Sequence, residues 1–228
     1  NRYMNEILQT KDKHDYIVAS DTDSIYLWLD KIVDKICKDK SKEQKLDFVD
    51  KVATQKIEPF IEKCFKQLAD YTNAFDQKMV MKREVIADKG IWTAKKRYML
   101  NVLDEEGFRY EEPKLKIMGI EAVKSSTPEV CRTGIKEAIR LIMNKDEDAL
   151  QNYIADFKVK FHKFEPEQIA FPRSCNNLRK YRSDSSIFTK GTPIHIKGSL
   201  IYNYHLQSQK LDYKYPVIQE GDKIKFIL

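Results

Sequence analysis

The chain has 228 residues, 42% hydrophobic and 33% charged, with a formal net charge of +6. That apolar content supports one large domain or two small ones, no run approaches the length of a membrane span, and Asn1-Arg2-Tyr3-Met4 does not read as a signal peptide. Cys37, Cys64, Cys131 and Cys175 lie far apart with no Cys-x-x-Cys pair, which argues against a zinc site or disulfide framework and for an intracellular protein with reduced thiols.

Residues 2–9 read as the end of a helix, with Tyr3, Met4, Ile7 and Leu8 on one side and Lys11-Asp12-Lys13 as its stop. A chain that opens inside a helix without an initiating Met is expected to be a piece of something longer. Two apolar, β-branched and aromatic runs, 16–19 and 25–29, then flank small polar residues, as in a hairpin. Asp21 and Asp23 sit at its tip, two apart, so their side chains can project to one side of the ribbon. Two carboxylates held together repel unless a cation lies between them; a hard divalent ion fits, with positions left for water and phosphate. The alternative is a solvated turn. A second triplet, Asp146-Glu147-Asp148, opens a helical run and reads as an N-cap with favourable first-turn charge.

Residues 31–38 form a short amphipathic helix. Ser41 caps a long one through Leu46, Val49, Val52, Ile57, Ile61, Phe65 and Leu68, with a kink or break near Glu58 imposed by Pro59. This apolar spacing is core patterning, expected to back the hairpin. Residues 78–87 alternate as a strand. Residues 91–103 and 107–110 form another hairpin around Asp104-Glu105-Glu106-Gly107, with Lys95 and Arg97 on one face of its first strand and Lys96 and Tyr98 on the other. Residues 114–123 make a third strand. Ser125-Ser126-Thr127-Pro128-Glu129 is a helix start, with Thr127 as N-cap and Pro128 at the first helical position, and the domain boundary is placed here. Helices follow over 128–143 and 147–161, then strand character at 168–171, a loop over 174–186, a helix over 192–206 and a strand over 222–228. Between residues 173 and 214 eight cations meet two acids, Asp184 and Asp212, a balance equal to that of the whole chain. Interleaved with Tyr181, Phe188, Tyr202, Tyr204 and Tyr213, this stretch suits a phosphate-rich partner; the alternative is a solvated face balanced by acids elsewhere.

Ser20-Asp21-Thr22-Asp23-Ser24 with Tyr26 resembles the Asp-Thr-Asp-Ser palm motif of family B DNA polymerases. Further stretches agree in the same order: Lys82-Arg83-Glu84-Val85-Ile86, Trp92-Thr93-Ala94-Lys95-Lys96-Arg97-Tyr98, Leu115-Lys116-Ile117-Met118-Gly119-Ile120-Glu121, Ser125-Ser126-Thr127-Pro128 and His195-Ile196-Lys197-Gly198. The similarity is closer to the replicative polymerases of T-even-like tailed phages and runs along nearly the whole chain. It implies an α+β fold: a partial palm of antiparallel sheet with helices over residues 1–123, then a mostly helical, duplex-gripping thumb over 124–228. It also implies nucleotidyl transfer, in which a primer 3′-hydroxyl attacks the α-phosphate of a dNTP at two Mg²⁺ ions shared with residues outside this chain. By the same resemblance Asp23 is the principal metal ligand, Asp21 a second and more variable one, and Glu84 a neighbouring carboxylate; the alternative for Glu84 is an exposed strand residue paired with a lysine. Lys95, Lys96, Arg97, Tyr98 and Lys116 meet primer-template DNA, with Lys96 and Tyr98 at the minor groove, whose acceptor pattern is nearly sequence-independent. Lys197 contacts primer phosphate, and His195 either joins it or packs against Tyr202. Two departures stand out: Ser20 replaces the usual Gly, and Lys82 stands where phage relatives carry an acid.

The family's Asp-x-x-Ser-Leu-Tyr-Pro-Ser strand, Lys-x-x-x-Asn-x-x-Tyr-Gly helix, exonuclease motifs and clamp-docking tail are not among these residues. The expectation is therefore a C-terminal palm-and-thumb portion, inactive alone, that works with an upstream polymerase half from the same gene or a separate polypeptide. It would act inside the cell, in the host cytoplasm if phage-encoded, with no membrane. Two other classes stay open: a non-catalytic primer-template DNA-binding module, and an unrelated two-metal nuclease.

Overall fold

A computed structural model describes residues 1–7 and 14–227. Leu8, Gln9 and the expected turn at Lys11-Asp12-Lys13 lie outside the described residues. The chain is α+β, every strand pair is antiparallel, and it divides into two compact units, Asn1–Met118 and Gly119–Leu228.

The first unit opens with α1 (Arg2–Ile7), the hairpin β1 (Ile17–Asp21) and β2 (Ser24–Leu27), then α2 (Asp30–Cys37) and α3 (Lys42–Val52). Ser41 starts α3 through a reciprocal cap: its hydroxyl accepts from the Gln44 N–H, and the Gln44 side chain accepts from the Ser41 N–H, which answers backbone donors that the first turn leaves open. One wide π turn, Ala53–Ile57, joins α3 to α4 (Glu58–Tyr71). Pro59 falls in the first turn of α4, where its missing N–H costs little; near Glu58 the helical backbone does not break but passes from the π turn straight into α4. Tyr16, Met4 and Ile32 form one apolar cluster with Leu29, Phe48 and Ile57 around them; Leu46, Ile86 and Leu103 form another. The helices α2 and α3 thus line the core, but α4 buries none of its residues and leaves Leu68 half exposed. For α4 the expectation of core patterning is corrected: amphipathic spacing marks a face without supplying something to cover it.

Three strands, β3 (Val85–Ala94), β4 (Arg97–Glu105) and β5 (Phe108–Met118), make the main sheet with β4 in the middle. Residues 99–104 of β4 are buried without interruption, as befits a central strand covered on both faces. Three sequence expectations are corrected here. The ladder begins at Val85, so residues 78–84 have no strand partner among the described residues. The strand expected over 91–103 is broken by a two-residue turn, Lys95-Lys96, with Lys96 at φ 60°; neither residue carries the Gly or Asn signal such a turn usually shows. The third strand begins at Phe108 and stops at Met118, followed by a 3₁₀ turn, Glu121–Val123. Asp104, expected in the acidic turn of the hairpin, is buried at the end of β4. Its carboxylate pairs with Arg83 and accepts from the Gly107 N–H at 2.9 Å, while Arg83 also holds Asp50 at 2.7 Å.

The second unit carries α5 (Glu129–Asn144), α6 (Glu147–Phe161), α7 (Pro166–Ile169), β6 (Phe171–Ser174), α8 (Leu178–Tyr181), β7 (Arg182–Ser183), β8 (Ile187–Phe188), α9 (Ile194–Ser208) and β9 (Lys223–Phe226). Pro128 is the N-cap of α5 and no side chain caps it, which displaces Thr127 from that role. Asp146 does cap α6, accepting from the Ala149 N–H at 2.9 Å. Where α5 meets α6, a Cβ on Gly134 would lie 2.6 Å from the Phe157 ring, so this contact needs glycine. The expected strand at 168–171 is replaced by α7 followed by β6, and the expected loop over 174–186 contains α8 and β7. The terminal strand exists and pairs with β6. Cys175, Leu178, Ile196 and Leu200 form the core, ringed by Tyr181, Ile187, Phe188, Ile218 and Ile224. All four cysteines are free. Among the described residues no helix is long and apolar enough to cross a membrane.

Candidate metal and nucleic-acid site

Two hairpin tips of the first unit come together. The first is acidic: Asp21 ends β1, Ser24 begins β2, and Thr22-Asp23 make the turn between them. Thr22 has φ 44°, a left-handed conformation that a β-branched residue seldom adopts. The Ser24 hydroxyl donates to the Asp21 carbonyl at 3.1 Å, and both aspartates reach solvent. The second tip is basic, Lys95-Lys96. Lys96 Nζ lies 3.6 Å from Asp21 Oδ2. Each tip therefore holds a non-glycine residue at positive φ, the kind of local strain that collects at functional sites.

An aromatic clasp stands behind the tips. The Tyr26 hydroxyl donates to the Tyr98 hydroxyl at 2.8 Å, Trp92 meets the Tyr26 ring edge-on at 5.3 Å, and Trp92 stacks on Tyr98 at 6.0 Å. Gly90 makes room for it, since a Cβ there would come within 2.7 Å of the Trp92 ring. Burial, then the bond to Tyr26 and the nearby charges of Glu84 and Asp21, push the Tyr98 hydroxyl well above the usual phenol range. Tyr98 is thus a neutral hydrogen-bonding group turned toward Tyr26. The expectation that Lys96 and Tyr98 share one strand face is corrected, because strand alternation does not run through a turn.

Glu84 pairs with Lys116, which also lies 3.5 Å from Glu105; neither contact joins the Asp21–Asp23 tip. Burial opposes the Lys116 charge, but these carboxylates outweigh it and raise its pKa. The Lys114 ammonium first, then the Tyr110 hydroxyl, hold the Glu105 carboxyl down at about 2. Lys95 is exposed, and Arg97 opens β4 opposite Ala94.

In the second unit none of the eight cations between residues 173 and 214 pairs with a carboxylate among the described residues. Three lie over rings instead: Lys180 over Tyr181, Lys197 over Phe188 at 5.2 Å and Lys214 over Tyr215. Such contacts hold a stem in place and leave the charge available. His195 stacks on Phe226 at 5.9 Å, which corrects the expected packing against Tyr202.

No family model matches the chain. It is 41% identical over 234 residues to the DNA-directed DNA polymerase of Escherichia phage RB69, covering 98% of this chain and 25% of that one. It is 38% identical over 212 residues to the DNA-directed DNA polymerase of Enterobacteria phage T4, covering 89% and 23%. The chain is a homologue of phage DNA-directed DNA polymerases. It spans about a quarter of the length of these relatives.

For a divalent ion, the polymerase homologue offers the oxygen donors that hard cations prefer, in Asp21 and Asp23. Among the described residues no group of three or more His, Cys, Asp or Glu could hold an ion, so Asp21 and Asp23 by themselves are an incomplete ligand set. The clasp escaped sequence reasoning: Tyr26 and Tyr98 both lie in quoted motifs, but nothing local marks a bond between residues 72 positions apart.

Proposed function

We propose that this chain is the C-terminal palm-and-thumb portion of a family B DNA polymerase, acting on primer-template DNA and dNTP together with the remaining portion of such an enzyme. The observation that carries the reading is the apposition of the acidic tip, Asp21 and Asp23, with the basic tip at Lys96, clasped by Tyr26 and Tyr98. Asp23, the more exposed of the two residues, and Asp21 would hold the metal. When bound there with the ligands of the remaining portion, Mg²⁺ ions stabilise the attacking and leaving oxygens of the displacement. Lys96 then serves two anions: Asp21 when the site is empty of DNA, and the primer-template duplex when it is occupied. Lys95 and Arg97 supply further positive charge at the same tip. Tyr98, kept protonated and oriented by Tyr26, donates or accepts a hydrogen bond without adding charge, which suits contact with the nearly uniform acceptors of the minor groove. Glu84 acts one step away, by holding Lys116 on the sheet. In the second unit the unpaired cations, Lys197 among them, hold duplex phosphates.

The test replaces the matched quarter of the RB69 phage polymerase with this chain. The chimera is expected to extend a primer with Mg²⁺, Asp23→Ala to abolish extension while duplex binding persists, and the isolated chain to bind duplex without extending it. Extension unchanged by Asp21→Ala and Asp23→Ala together would sink the metal role and leave a duplex-binding module.

A further inference from the structure

We propose that Glu105 is a positioning residue for Lys116: pinned by Lys114 and Tyr110, its carboxylate holds the Lys116 ammonium on the sheet face that Tyr98 shares, where it meets bound duplex DNA. The inference rests on the polymerase reading above and on the duplex contact expected of Lys116. The strands β4 and β5 pair Tyr98 with Met118, Leu100 with Lys116 and Val102 with Lys114. Cross-strand partners, and residues two apart in a strand, share a face. Tyr98, Lys116 and Lys114 therefore stand along one face, with Lys116 about 7 Å along the sheet from the row that holds Tyr98.

Beyond Val102 the register jumps to Asp104 opposite Arg109, so residues 110–113 bulge out of β5. Pro113, which has no N–H for a ladder, falls in that bulge. The Tyr110 hydroxyl accepts from the Lys114 ammonium at 3.0 Å, and both donate to one oxygen of Glu105, Lys114 at 2.6 Å and Tyr110 at 2.8 Å from Oε2. With Oε2 fixed, Oε1 is the atom left for Lys116, 3.5 Å away. Two carboxylates thus hold one ammonium, and they differ: the Glu84 side chain is 59% exposed, that of Glu105 25%. Glu105, doubly pinned, sets where the ammonium sits, and Glu84 is the partner that duplex can displace. The charges of Glu84, Glu105, Lys114 and Lys116 also cancel, so Lys116 meets duplex as a placed hydrogen-bond donor rather than as a net charge. Ion pairs near the surface do little for stability, but an ammonium already held in place has less freedom to lose on binding.

The experiment is a double-mutant cycle on primer extension at saturating duplex and dNTP, in the chimera with the remaining RB69 phage polymerase, with Glu105→Gln and Lys116→Gln made singly and together. Glu105→Gln alone is expected to slow extension about 10-fold, although the negative charge it removes leaves duplex affinity no weaker. In the Lys116→Gln background the same substitution should slow extension no further. Equal slowing in both backgrounds means that Glu105 acts through the fold, and no slowing means that it does not act; either overturns the proposal. The second readout is the Lys116 ¹³Cε signal of the isolated chain, which should move when duplex is added, a movement that Glu105→Gln should abolish. A signal that duplex does not move, or one that moves as before in Glu105→Gln, overturns the positioning role while a chimera that extends primers keeps the polymerase reading. A chimera that never extends, with a movement that depends on Glu105, does the reverse. Should Glu105→Gln not fold, Lys114→Ala takes its place: it removes one pin, keeps the Glu105 charge, and should again slow extension only where Lys116 is present.

Discussion

The main sheet of the first unit and the stretch over residues 173–214 of the second use positive charge in opposite ways. In the first, cations are answered from within: Arg83 by Asp50 and Asp104, Arg109 by Asp47, Lys114 by Glu105, Lys116 by Glu84 and Glu105, and Lys96 by Asp21. In the second, the cations between residues 173 and 214 have no carboxylate partner among the described residues, and the fold is held by an apolar cluster around Cys175 and Ile196. A charge spent on a neighbour shapes the fold; one left in solvent is available to an outside anion. Net charge alone hides this difference, because an internally paired cation and a free one count the same.

The largest expected effect attacks the internal pairing. Asp104→Ala removes one of the two carboxylates that hold Arg83, only 13% exposed, and leaves Asp50; the lost charged hydrogen bond should cost about 1.5–3 kcal/mol, read as a lower denaturation midpoint. The matching test of the second unit is Gly134→Ala, which drives a methyl into Phe157 and should cost about 1–3 kcal/mol by the same measurement, with ion pairs untouched. Tyr26→Phe deprives the Tyr98 hydroxyl of its partner at about 1 kcal/mol, read as a lower denaturation midpoint. The contrast itself is tested by Lys197→Gln against Lys116→Gln. The first should lower the slope of log affinity against log salt for duplex DNA by about 0.9 without altering stability. The second should leave that slope nearly unchanged and cost about 1 kcal/mol or less. Equal slopes would break the comparison.

The smallest effect is a titration. The folded-state pKa of Glu105 is depressed to about 2 from its ordinary 4.5. Its ionised form therefore stabilises the fold above pH 4.5, and that contribution is lost as pH falls through about 2. A ¹³C carboxyl titration should find the low midpoint, and Lys114→Ala should move it upward.

Local elements were legible where the chemistry that makes them is also local. Glu147–Phe161 begins and ends where its cap and periodicity place it, and Ser41 caps the helix that follows it. The Asp21–Asp23 tip was legible because a turn between two β-prone runs leaves little else for those residues to do. The turn at Lys95-Lys96 was not, since two lysines carry no turn signal and Lys96 reaches its left-handed backbone only because β3 and β4 pair on either side. Asp104 read as a turn acid because burial of a carboxylate depends on Arg83, distant in sequence.

Strand pairing explains the remaining differences. A strand pattern needs a neighbour to become a strand: residues 85–94 find one in β4 and residues 78–82 do not, though the composition of both invites it. The sequence by itself determined the order of elements, the acidic tip, the basic stretch and the kinship with polymerases, because each is carried by residues close together in the chain. Only the tertiary structure decided that Tyr26 and Tyr98 join the acidic and basic tips, which lysines are neutralised and which stay open, and which apolar face is left uncovered, because each depends on distances between residues that the chain brings together only by folding.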